Sequence, residues 1–209
     1  MKKALALLSA SAMLSITLCA CGERTVQTSN KNAESKVSNN LIASNDLSSG
    51  EEFNFKELSY GETESTDFVE ITIDKIGIAQ EIKPTDTSSV YSYLSDKDGE
   101  QYIYLTGSMK NTGTESYGIE NIKSDIIVDG NYKYVAFLKA DNGGNDFYND
   151  TLKPFGKDKF YIVASVPDEL IEKFESVEVR FGFDDNFKTR FYNSYADCTH
   201  LYKVTAANK

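Results

Sequence analysis

The stretch Glu100-Gln101-Tyr102-Ile103-Tyr104-Leu105-Thr106-Gly107-Ser108-Met109-Lys110 decides the fold class. Ile103, Leu105 and Met109 fall on one side of an extended chain, and Tyr102, Tyr104 and Thr106 on the other. That two-residue period is the mark of a strand whose two faces meet different surroundings. Asn111-Thr112-Gly113 ends it with residues that accept turn angles. Upstream, Val69, Ile71 and Ile73 alternate with polar residues, and Ile76 and Ile78 resume out of phase. The phase change predicts a bulge near Asp74-Lys75. Between the two strands, 84–99 is polar and acidic and long for a hairpin loop, with Tyr91, Tyr93 and Leu94 available for packing.

Downstream, short strands are expected at 116–122, 125–128 and 132–138, the last two joined by the hairpin turn Asp129-Gly130-Asn131. A Gly-, Asn- and Asp-rich loop follows at 140–150, then the turn 152–156 and a strand at 159–166. Pro167-Asp168-Glu169-Leu170 reads as the start of a brief helix, with acidic residues at its positive end. Val177, Val179, Phe181 and Phe183 share one face of a strand at 175–183, and 187–195 and 199–205 are expected to close the fold. About seven to nine short strands without a crossover helix predict an all-β, antiparallel β-sandwich, with an open barrel as the alternative. Residues 66–209 are long enough for one such domain with its own core.

The segment from Tyr102 through Lys110-Asn111-Thr112-Gly113 resembles a signature of small immunoglobulin-like domains on Gram-positive bacterial lipoproteins. The turn Leu152-Lys153-Pro154-Phe155-Gly156 with the strand Phe160–Pro167 after it is similar to the same family. That family more often has Gly directly after Pro, where this chain has Phe155. The resemblance covers 67–187 and implies an immunoglobulin-like sandwich. It implies no catalytic residues, because those domains are largely of unknown function.

The N-terminal region reads as an address. Lys2 and Lys3 precede an apolar run from Ala4 to Leu18, shorter than the roughly 20 apolar residues a spanning helix needs. Leu18, Cys19, Ala20 and Cys21 then resemble the box that signal peptidase II recognises, with small Ala20 before the cut and Cys21 after it. A thiolate is a strong nucleophile and a natural acceptor for diacylglycerol. The expectation is therefore a lipoprotein signal peptide over 1–20, acylated Cys21 with a flexible polar linker over 21–65, and the sandwich domain over 66–209. The chain would be held at the extracytoplasmic face of the cell membrane by the lipid bilayer. A flexible linker of this length reaches about 35 Å on average. Phe53, Phe55, Leu58 and Tyr60 are apolar islands in it that either dock on the domain or stay free.

Charge and residue types narrow the function classes. Losing Lys2 and Lys3 with the leader takes the net charge from −10 to −12, which opposes nucleic acid and anionic polymers in the absence of a basic run. Cleavage and acylation leave Cys198 as the one free thiol, so no internal disulfide is expected. His200 is the single histidine, and no glycine-flanked nucleophile accompanies it, so no catalytic residue is assigned and no enzyme is expected. Asp141, Asn142, Asn145, Asp146 and Asp150 form a flexible oxygen-rich loop that could take calcium, or simply a solvated turn. Tyr102, Tyr104, Tyr132 and Tyr134 could form an aromatic platform for a sugar or peptide if their faces met outside. The reading is an anchored binding module for a surface protein or wall component. The alternatives are a small solute- or cation-binding lipoprotein, or a glycan hydrolase using Asp184 and Asp185.

Overall fold

The computed structural model describes residues 52–95, 98–119, 121–147, 151–187 and 194–208, all within one unit, Ile42–Lys209. The N-terminal side supplies β1 (Lys56–Glu57), β2 (Thr63–Ser65), β3 (Val69–Ala79), β4 (Glu81–Ile82) and β5 (Leu94–Ser95). β6 (Glu100–Asn111), β7 (Tyr117–Gly118), β8 (Lys123–Val128), β9 (Tyr132–Val135) and β10 (Phe137–Asp141) follow. β11 (Thr151–Leu152), β12 (Lys157–Pro167), the helix α1 (Asp168–Ile171), β13 (Ser176–Phe183) and β14 (His200–Ala207) complete the order.

Two five-stranded sheets result, β2-β3-β6-β12-β10 and β1-β14-β13-β8-β9. All their pairings are antiparallel except the short one between β1 and β14. Labelled A to G, the strands β3, β6, β12 and β10 stand in the order A-B-E-D, and β14, β13 and β8 in the order G-F-C. That is the immunoglobulin arrangement. The disulfide that bridges the B and F strands in antibody domains is replaced here by packing. Ile103 and Leu105 on β6 and Val179 and Phe181 on β13 are almost fully buried.

The bulge falls where expected, with the β3–β6 register shifting between Ile73 and Lys75. One extra residue lets both halves of β3 serve the core, since Ile73 pairs with Gly107 and Ile76 with Leu105. It also turns Lys75 onto the outer face, beside Thr106. The β8–β9 hairpin turns through Asp129 and Gly130 at φ 51° and 67°, the backbone sign that a two-residue primed turn requires.

Several expectations are corrected. The run 132–138 is one stretch of chain but two strands: Val135 pairs with Asp125 in one sheet and Phe137 with Val163 in the other. Buried Ala136 makes the corner, its N–H donating to Ser124 O and its carbonyl accepting from Ser124 Oγ. Among the described residues of 116–122 only Tyr117 and Gly118 form a strand, and they pair with β11 outside the main sheets. Tyr117 is held there by its ring against Phe68, 5.5 Å away. Of 187–195, Phe187 ends a 3-10 turn and Tyr195 begins another, while 188–193 lie outside the described residues. Part of the stretch read as linker belongs to the sandwich: Lys56 and Glu57 pair with β14, and Leu58 is 3% exposed. Phe53 and Phe55 lie edge-on to Tyr195 at 5.9 and 5.0 Å.

Candidate functional site

Two of the four candidate tyrosines, Tyr102 and Tyr104, lie on the outer face of the β2-β3-β6-β12-β10 sheet. Cross-strand rows place Lys75 beside Thr106 and Tyr161, Gly77 beside Tyr104 and Val163, and Ala79 beside Tyr102 and Ser165. In a sandwich this face looks to solvent. Here a second apolar cluster of Ile82, Tyr102, Tyr161 and Val163 lies on it, with Ala79, Leu94, Tyr104 and Phe147 packed against it. The cover comes from two long loops, 81–95 and 142–147. β4 and β5 close the base of the first, with Ile82 opposite Leu94, and Tyr102 Oη donates to Ser95 O at 2.9 Å.

Asp141 ties the two loops together. It is 2% exposed, and its Oδ2 accepts from Thr85 N at 2.9 Å and Thr85 Oγ1 at 2.8 Å. Its Oδ1 accepts from Gly143 N at 2.8 Å. Asn145 Nδ2 donates to Val90 O and Ser89 Oγ, Asp86 N to Gly144 O, and Ser92 N to Asn145 O. Asn142 Oδ1 caps Gly144 N. The oxygens read as calcium ligands at Asp141 and Asn142 thus face protein donors, as in the turn alternative. Asp146 lines an open groove of about 670 Å³ between this loop and the 151–158 segment, and Asp150 lies outside the described residues. Among the described residues no three acidic, His or Cys side chains are grouped to hold a metal.

The tyrosine pairs do not share one face. Tyr102 and Tyr104 lie under the loops, whereas Tyr132 and Tyr134 are on β9 opposite Val128 and Ile126 in the other sheet. Tyr134 packs on the main core and Tyr132 is 53% exposed at the sheet edge. Tyr104 meets Tyr161 instead, with ring centroids 6.0 Å apart, and Tyr161 meets Phe147 at 5.6 Å. Lys75 Nζ stands 5.9 Å from the Tyr104 centroid and Lys159 Nζ 4.9 Å from that of Tyr161. These lysines, Lys83, Glu81 and the two tyrosines line a shallow groove of about 250 Å³. Tyr161, Lys75 and Lys159 escape sequence reading because they come from β12 and β3, far apart in the chain and brought together only across β6. The register rows that would reveal them exist only once the strands are paired.

The remaining candidates sit elsewhere. Cys19, Ala20, Leu18 and Cys21 lie outside the described residues. His200 Nε2 is 2.8 Å from Asp185 Oδ1, and its ring packs between Phe68, Phe183 and Tyr202. Burial, reinforced by nearby Asp197, pushes the Cys198 thiol up to about 12, so it stays protonated and is not an activated nucleophile. Among the described residues no helix is long and apolar enough to cross a bilayer.

No protein-family model matches the chain, and no curated protein matches it by sequence. Among solved structures it is similar to an uncharacterised β-sandwich protein of Clostridium difficile 630, at 22% identity and a TM-score of 0.61. That match covers 75% of this chain and 97% of the other. It shows the fold: the chain is an all-β sandwich. Weaker likenesses are to a conserved hypothetical protein of Bacillus anthracis and to ycdA of Bacillus subtilis, a provisional lipoprotein assignment. The first has a TM-score of 0.40 and 14% identity over 58% of this chain and 87% of that one. The second has a TM-score of 0.41 and 11% identity over 72% of this chain and 39% of that one.

Proposed function

We propose that the chain is a lipid-anchored, extracytoplasmic binding module that acts without catalysis. Residues 1–20 direct export, Cys21 carries the lipid, and the segment after it spaces the sandwich from the bilayer. The loop-covered sheet face is the recognition surface, and its partner is a surface protein or wall component. The observation that carries the recognition role is the clamp at Asp141. Two long loops fastened to each other over a tyrosine-lined sheet form a surface already ordered before a partner arrives, which lowers the entropy cost of binding. The immunoglobulin-like strand order supports the comparison with small domains carried on Gram-positive lipoproteins. One feature supports binding over turnover: the Cys198 thiol near His200 is held protonated and is not an activated nucleophile. The acidic body supports a need for lipid, since anionic headgroups would repel it.

Fractionation of cells expressing the full chain tests the anchor. The wild type is expected in the membrane fraction and Cys21→Ala in the medium. Membrane retention of the variant would remove the anchor from the proposal.

A further inference from the structure

We propose that the groove formed by Lys75, Lys83 and Lys159 over Tyr104 and Tyr161 binds a small phosphate-bearing ligand, one phosphorylated polyol or sugar unit in size. The proposal deepens the recognition role assigned to this face and is independent of the anchor.

The groove exists because of two departures from a regular strand. Lys75 has the same odd parity as Ile71 and Ile73, both fully buried, and in an unbroken strand would point into the core. The bulge between Ile73 and Lys75 moves it to the outer face, opposite Thr106. Bulges commonly re-aim a side chain in this way. Two residues on, Gly77 leaves the space that the Tyr104 ring fills. A Cβ there would stand 2.6 Å from both Tyr104 Cζ and Tyr104 Oη. The ring thus lies across β3, beneath the Lys75 ammonium. From the other side β12 brings Lys159 over Tyr161, and the 81–95 loop brings Lys83 to the rim.

The charge balance is the second argument. The chain carries 32 acidic against 22 basic side chains, yet three lysines and a single carboxylate, Glu81, line this groove. Lys83 is paired with Glu81 at 2.8 Å. Among the described residues neither Lys75 nor Lys159 has a carboxylate within ion-pair distance. Asp141, in the row beside Lys159, instead accepts from Thr85 and Gly143. Each free ammonium rests on a tyrosine ring, which holds it in place without neutralising it.

Separate ammonium groups converging from different strands suit a tetrahedral phosphate, which accepts point charges from several directions. A planar carboxylate is better matched by the fork of an arginine, and no arginine lines the groove. The tyrosine faces supply apolar surface for the carbon skeleton of a polyol or sugar. At about 250 Å³ the groove lies just below the range of drug-sized pockets, which limits the ligand to a single unit.

The test is calorimetric titration of the full-length Cys21→Ala chain at low salt with four probes: glycerol 3-phosphate, inorganic phosphate, glucuronate and glycerol. Saturable binding of glycerol 3-phosphate is expected, weaker for inorganic phosphate and absent for glycerol. Lys75→Gln with Lys159→Gln should weaken it by about tenfold or more, as loss of two charge-assisted contacts implies. Lys153→Gln with Lys173→Gln, which removes the same charge elsewhere, should leave it intact. Both pairs are exposed, and thermal melts of each confirm folding. No saturable binding of either phosphate would overturn the proposal. So would equal weakening in the two double variants, or glucuronate binding as tightly as glycerol 3-phosphate. Loss of phosphate binding with anchoring intact would overturn the ligand alone. Release of the anchor with phosphate binding intact would overturn only the lipid attachment.

Discussion

Phe155 shows how one residue can be right for a turn and wrong for its backbone. Gly156 N donates to Lys153 O at 2.9 Å, with Pro154 and Phe155 at the two corners of the turn. The second corner needs a positive φ, and Phe155 supplies it at 59° while its ring is 73% exposed. The sequence motif already marked the place where the domains it resembles more often have glycine. A left-handed L-residue costs about 1–2 kcal/mol, and so exposed a ring recovers little through packing. Phe155→Gly is therefore expected to stabilise the chain by about 1 kcal/mol, less the extra freedom glycine has when unfolded, read as a higher urea midpoint. Gly77 carries the opposite prediction. Gly77→Ala forces Tyr104 off β3 and should cost about 1–3 kcal/mol, with near-ultraviolet tyrosine signals altered in the folded state.

Among the elements, the most consequential is the pair of loops over the sheet. Asp141→Ala leaves Thr85 N, Thr85 Oγ1 and Gly143 N without their acceptor. A loss of about 1–3 kcal/mol is expected, because water replaces the acceptor only in part. Amide exchange should accelerate at 85–92 and 142–147 while β6 and β12 stay protected. How much of this was legible follows from the range of the interactions. The β3 bulge and the Asp129-Gly130 turn were legible because each is set by a few consecutive residues. The identity of 142–146 as loop was legible for the same reason, although β10 runs through Asp141 into the expected 140–150 loop. Its use as a clamp depends on Thr85 and Val90, more than fifty residues away. The β9–β10 corner was hidden because 132–138 contains no glycine, proline or other turn residue to mark a break. What splits it is the buried position of Ala136 against Ser124, a tertiary fact. The tyrosine pairs share a face within each strand, as period two demands, but strand pairing sends the two strands to different sheets.

At the scale of the whole molecule, the sandwich holds without a disulfide by burying aromatic rings between its sheets. Phe160, Phe181, Phe183 and Phe187 are each at most 2% exposed. Phe181→Ala should cost about 3–5 kcal/mol, measured by denaturant unfolding, since the cavity would lie between two sheets that cannot easily close on it. Burial also shapes the response to alkali. It raises Cys198 from an ordinary 9.0 and Tyr202 from 10.0, each up to about 12, with Asp197 and Glu64 adding to the respective shifts. Groups whose folded pKa is raised contribute stability that is complete below the unfolded value and lost as pH climbs through the folded one. Unfolding midpoints should therefore hold steady to about pH 8 and fall between about 9 and 12. Immunoglobulin-like order, a clamped, loop-covered sheet face and an acidic body support the proposal of a binding module that a lipid holds at the membrane. The most direct test of that claim is the mass of the N-terminal peptide of the membrane-associated protein. The account predicts a chain that begins at Cys21 and carries a thioether-linked diacylglycerol. A chain that still begins at Met1, or one starting elsewhere with Cys21 unmodified, would contradict it.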